Sequence, residues 1–184
     1  MHRTLSLFLL VLMQLPMVSQ AAEHDSNFRL SLGRYITSVD PSASYSSDDQ
    51  KQHFGWSIAG EMPQSNYTAS RAIFYAIDDD RLGASGLEMQ IMWGYGLAQP
   101  GFRIYAGPGF FFEHRTDRSA ASDKFNTYRD FAISAGTGFQ YKRMILDLNY
   151  QYRDPRSYER ELKKRGGDES VDASTLNLSI GYQF

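Results

Sequence analysis

"STLNLSIGYQF", residues Ser174 to Phe184, alternates without a fault. Leu176, Leu178, Ile180, Tyr182 and Phe184 share one side of an extended chain; Asn177, Ser179, Gly181 and Gln183 share the other. A period of two marks a β-strand with two unlike faces. Soluble domains commonly fray into polar tails, whereas here the apolar face runs through the last residue.

The opposite end supplies a compartment. A short basic start, Met1 to Thr4, precedes an apolar run from Leu5 to Val18 and then Ser19-Gln20-Ala21-Ala22. This is the layout of a secretory signal peptide spanning 1–21, with cleavage after Ala21 or Ala22 and a mature domain at 22–184. The run is shorter than the roughly 20 residues a spanning helix needs, and Pro16 interrupts it. The remaining length of about 160 residues fits one domain. With no cysteine, the chain has no disulfide framework, no thiolate metal site and no lipoprotein anchor. A net charge of −2 argues against nucleic-acid binding. No mature segment is apolar enough to cross a membrane as a helix, so membrane entry would require a closed barrel, in which every backbone group pairs between strands.

The alternation recurs seven more times along the chain. The spacing predicts strands at 28–37, 53–61, 67–77, 87–97, 102–113, 130–141 and 144–153, followed by the closing strand. The fourth is the cleanest of the first half, with Leu87, Met89, Ile91, Trp93, Tyr95 and Leu97 on one face. Arg34 breaks the apolar face of the first. The third has two open phases: Ile73, Tyr75 and Ile77 facing out would bring Arg71 with them, and a bulge or the opposite phase repairs that. Long gaps (38–52, 78–86, 115–129, 154–173) alternate with short ones (62–66, 98–101, Lys142-Arg143). Long loops on one rim and short turns on the other describe an outer-membrane barrel. The expectation is an all-β, eight-stranded antiparallel up-and-down transmembrane barrel.

A secreted soluble barrel with its apolar face inside is the competing architecture. Aromatics gather near strand ends on the apolar face (Tyr95, Phe102, Phe112, Phe131, Tyr141, Tyr152, Tyr182), as an interfacial girdle requires. The opposite face mixes glycine with Arg29, Glu61, Glu88, Arg103, Glu113, Asp130, Asp147 and Arg153. Both features favour the membrane.

The segments "IYAGPGFFFEHR", "DFAISAGTGFQY", "ILDLNYQYR" and "LNLSIGYQF" resemble the second half of the small eight-stranded OmpX/Ail and OmpA-domain group. The resemblance implies a monomeric surface protein of the cell outer membrane, adhesive or protective, with no cofactor. It also implies that Tyr182 and Phe184 serve as an address for the barrel-assembly machinery.

An interior this narrow is filled by side chains, and charges buried there must be paired. The inward charges read as an ionic plug or, alternatively, as a narrow water-lined conduit. Among lipid A-modifying enzymes on barrels this small, the deacylase pattern places a His-x-Ser on the seventh strand; "LNYQYR" has neither residue. His114 with Thr116, and His53, are the nearest substitutes, and nothing in their spacing sets a base beside a nucleophile. Asp78 to Asp80 lacks the ligand spacing of a calcium loop. In "DPRSYERELKKRGGDES", Ser157 reads as an N-cap, with Glu159–Lys163 and Glu161–Arg165 as helical pairs. Arg156, Arg160, Lys163, Lys164 and Arg165 there form the best candidate for contact with lipopolysaccharide or another anionic surface partner; a solubilising cap is the plainer reading.

Overall fold

In the computed structural model, residues 27–41, 52–79, 82–117, 124–164 and 170–184 are described. The expected signal peptide and Arg165 lie outside them. Eight strands form a closed barrel in sequence order, each antiparallel to its neighbours: β1 (Arg29–Pro41), β2 (Gln52–Pro63), β3 (Thr68–Asp78), β4 (Leu82–Tyr95), β5 (Gly101–Asp117), β6 (Lys124–Tyr141), β7 (Met144–Arg153) and β8 (Val171–Gln183). β1 pairs with β8 from Arg29↔Gln183 to Pro41↔Val171, so no sheet edge is left. Closure removes the unpaired backbone groups that hydrocarbon cannot satisfy. Among the described residues, one helix, α1 (Arg156–Lys164), lies between β7 and β8.

The faces sort by chemistry. Leu32, Trp56, Ile91, Trp93, Ile104, Ile133, Leu146, Leu178 and Ile180 are all more than half or about half exposed on the outside. Arg29, Glu88, Arg103, Glu113 and Arg153 are fully buried inside. That is the inverse of a soluble protein, and it suits a barrel whose outer solvent is lipid.

β3 takes the opposite phase from its apolar pattern. Arg71, Ile73, Tyr75 and Ile77 point inward, leaving Ala72, Phe74 and Ala76 outside. The guanidinium decides it: inward, Arg71 meets two carboxylates, whereas outward it would sit unpaired in hydrocarbon. The apolar residues that follow it pack against Tyr35, Ala59, Leu82 and Ala84.

Several strand limits differ from expectation. β4 ends at Tyr95, because Gly96 adopts φ +75°, and Leu97 turns into the lumen with no exposure instead of joining the outer face. A side chain at Gly96 would meet the backbone of Phe102. β4 also starts at Leu82 and the β5–β6 ladder runs on to Asp117↔Lys124, so two expected long loops are shorter.

Candidate functional site

The lumen holds two ionic storeys. Nearer the short-turn rim, Glu61 accepts from Arg29 Nη1 at 2.7 Å, Arg71 Nη2 at 2.6 Å and Arg103 Nη2 at 2.8 Å. Asp147 accepts from Arg71 at 2.9 Å and lies 3.3 Å from Arg103 Nε. Three guanidiniums thus surround two carboxylates, with the Tyr105 ring between Arg71 (5.0 Å) and Arg103 (5.3 Å). Arg29 also donates to the Leu97 carbonyl and to Gln140, so the inverted turn after β4 forms part of the floor.

Nearer the long-loop rim, Arg153 is the centre. It donates to Glu113 at 2.7 Å, Glu88 at 2.8 Å, Tyr35 at 2.7 Å, Tyr75 at 2.9 Å and Tyr158 at 3.0 Å. The Tyr35 and Tyr75 rings stack at 4.1 Å beside it. Between the storeys lies an uncharged layer: Ser57 donates to Asn177 at 2.7 Å and Gln90 to Asn149 at 3.1 Å. Of the expected inward charges only Asp130 stands apart, at the rim beside Arg160 at 3.7 Å.

The helix closes the mouth. Tyr158 dips from α1 into the barrel, stacks on Tyr128 at 4.4 Å and Phe111 at 5.9 Å, and donates to Glu113 at 3.3 Å. Ser157, expected to cap the helix, is buried within its first turn. Asp154 is the cap instead: its Oδ1 accepts the Arg156 N–H at 3.1 Å, with Pro155 in the position that tolerates a missing donor. The Arg156 guanidinium grips the same carboxylate, at 2.5 Å in the closest contact, and holds its pKa below the usual range. Lys164 pairs with Glu161 at 2.6 Å, and Glu159 accepts from the Val171 N–H at 3.4 Å. The four described members of the basic cluster, Arg156, Arg160, Lys163 and Lys164, all face solvent, three of them beside carboxylates.

The histidines are apart. His114 shares a 3.0 Å hydrogen bond with Thr127 on the exposed rim. His53 Nδ1 lies 2.6 Å from Asp79, whose other oxygen accepts the Leu82 N–H at 2.6 Å. Among the described residues no group of three or more His, Asp or Glu could hold a metal ion. Asp80 lies outside those residues. A hollow of about 610 Å³ opens on the outer wall over Ala106 and Ala135, edged by Trp93, Tyr150 and Leu176. Thr137 Oγ1 in its wall already donates to the Arg103 carbonyl at 3.0 Å, and the surface that the hollow offers is almost wholly apolar.

A closed barrel, apolar outside, ionic inside and short-turned at the rim bearing Arg29 and Gln183, is a transmembrane β-barrel. Residues 7–184 match the model of the outer membrane protein beta-barrel domain, and the chain belongs to that family, which places it in the outer membrane. A comparison with curated proteins by sequence finds no match. Among solved structures it is similar to neisserial surface protein A (14% identity, TM-score 0.59, covering 88% of this chain and 100% of that one). It is also similar to the N-terminal barrel of Pseudomonas aeruginosa OprF (12%, TM-score 0.54, 84% and 97%). A third is Ail, the attachment invasion locus protein of Yersinia pestis, solved with the heparin analogue sucrose octasulfate (15%, TM-score 0.51, 85% and 97%). At these identities the likeness is one of fold.

Proposed function

We propose that this outer-membrane protein is a sealed, non-catalytic, monomeric surface protein that presents α1 and the long-loop rim to an anionic partner outside the cell. The observation that carries the reading is Tyr158. Its ring and hydroxyl anchor α1 in the barrel mouth, so Arg156, Arg160, Lys163 and Lys164 are displayed from a fixed base rather than a loose loop. Arg156, Arg160 and Lys164 already neighbour carboxylates. The partner must therefore be a polyanion dense enough to compete with them, a sulfated or phosphorylated polysaccharide such as lipopolysaccharide core. The complex of Ail with a sulfated sugar supports that chemistry.

Against a conduit stand the ion-paired storeys and the aromatic cover. Against catalysis stands the pairing of His53 with Asp79 opposite Thr37, whose hydroxyl is buried where no substrate reaches it. Sucrose octasulfate titrated into the refolded barrel should bind, with affinity falling as salt rises. The triple variant R160A/K163A/K164A should lose most of that binding. Unchanged binding in the variant overturns the assignment to α1, and a steady single-channel conductance of the wild type overturns the sealed lumen.

A further inference from the structure

Arg34 points the wrong way for a barrel that pairs its other deep arginines inside. It lies on the outer face of β1, level with Trp56 on one side and Leu178 on the other, and is exposed there. Ser38, the first polar outward residue above it on β1, is four positions on. Four residues are about 13 Å of strand, or about 9 Å of depth at a tilt near 45°. The cation therefore begins well below the surface, in the half of the wall nearer the long loops. Its guanidinium leans toward that surface and rests 5.7 Å from the Phe54 ring, two residues nearer the outer rim than Trp56. No carboxylate pairs with it among the described residues, and no Asp or Glu occupies an outward position between the two aromatic belts. A second copy of this wall would thus offer it no partner at that depth.

An unpaired cation facing hydrocarbon is unfavourable unless something anionic meets it. We propose that Arg34, with Phe54 as its supporting face, is a binding site for a phosphate of lipid A, the phosphorylated glycolipid of the outer leaflet. A guanidinium takes a phosphate through two parallel hydrogen bonds. The long side chain reaches up while its stem stays against Trp56 and Leu178. The site goes beyond the reading of α1 and is separate from it in place: its ligand is the membrane-embedded lipid and meets the wall, not the rim.

The test refolds wild type, R34L and R34K into phosphatidylcholine vesicles alone, or containing lipid A, dephosphorylated lipid A or phosphatidylglycerol. Lipid retained after detergent extraction is counted by native mass spectrometry. Wild type should retain lipid A over its dephosphorylated form by about tenfold, the factor that about 1.4 kcal/mol carries. R34L should lose that preference while refolding at least as well in phosphatidylcholine alone, and R34K should keep part of it. Equal retention of lipid A by wild type and R34L, or a wild-type preference for phosphatidylglycerol, overturns the proposal. Should R34L fail to insert, the wild-type comparison of phosphorylated with dephosphorylated lipid A still decides. R160A/K163A/K164A should retain lipid A normally, which separates this site from α1.

Discussion

Glu61→Gln should be among the most damaging single substitutions in the lumen. The carboxylate receives three guanidiniums, from Arg29, Arg71 and Arg103, on its two oxygens. An amide keeps one acceptor and turns an NH2 group toward donors. Asp147 then is the one carboxylate facing Arg71 and Arg103, and Arg29 is left with the neutral Gln140 and Gln183 and the Leu97 carbonyl. Removing one partner of a buried pair costs about 3–5 kcal/mol, and the multiplicity here points to the upper end. Glu88→Gln is the internal control. Only Oε1 of Glu88 is engaged, by Arg153 at 2.8 Å, Tyr35 at 2.5 Å and, more weakly, Thr175 at 3.4 Å, while Oε2 has no partner among the described residues. An amide nitrogen fits at Oε2, and Arg153 keeps Glu113, so the cost should be about 1–3 kcal/mol. Urea titration in lipid vesicles resolves the difference by fluorescence, because Trp56 and Trp93 both face lipid and change environment on extraction. A cost below about 1 kcal/mol for Glu61→Gln, or one no larger than that of Glu88→Gln, refutes the reasoning that multiplicity sets the penalty.

Tyr158→Ala removes the anchor of α1, at a local cost of about 3 kcal/mol; limited trypsin should then cut rapidly within α1, at sites slow in the wild type, while the barrel stays folded. Asp154→Ala should cost the helix about 1 kcal/mol. Because Arg156 depresses the Asp154 pKa, the cap's stabilisation is complete above the unfolded value of about 3.9 and is lost as pH falls through the lower folded value. Protection factors across α1, which remove the intrinsic pH dependence of amide exchange, should therefore hold down to about pH 4 and fall only below it; a fall between about pH 7 and pH 5 would contradict the assignment. Leu178→Lys, at lipid-facing mid-wall, should cost about 2–4 kcal/mol in folding titrations. Deleting Phe184 should sharply lower the amount inserted in cells yet barely affect refolding into detergent, if Tyr182 and Phe184 act as an assembly address; equal effects in both settings would make the residue mere packing.

The strands, their number and their outer face were legible because period-two alternation is a local property. β8 reads correctly from its own residues alone. Three features were not legible, each because a distant partner decides it. The phase of β3 turns on Arg71, whose carboxylates lie 10 residues away in Glu61 and 76 away in Asp147. Leu97 continued an apolar pattern, and only the left-handed Gly96 and the waiting Arg29 bring it inside. Ser157 looked like the cap because serine favours that role, but Asp154 with Pro155 starts the helix earlier and commits Ser157 to the buried face. For α1, the helical pattern was legible and Arg156, Arg160, Lys163 and Lys164 lie on it facing solvent, yet the anchoring contacts of Tyr158 with Phe111, Tyr128 and Glu113 needed the closed barrel to appear.

The interior chemistry bears on function by limiting where function can occur. An aqueous path through the barrel would have to pass Glu61 with its three arginines, then the amide layer, then Arg153 with its carboxylates and tyrosines. Each ionic storey is bonded across the barrel, between strands distant in sequence, so opening one breaks several buried pairs at once. Single breaks cost about 3–5 kcal/mol, and coordinated ones would approach the whole stability of a small domain, about 5–15 kcal/mol. The lumen is thus a structural core made of charge, the role that apolar packing plays in a soluble barrel. What remains free to act is the outside: the long-loop rim with α1 fixed upon it, and the wall, where Arg34 is the one outward arginine or lysine between the aromatic belts among the described residues. On the function proposed above, recognition falls to the surface, and substitutions that alter binding without altering stability should map to those two regions alone.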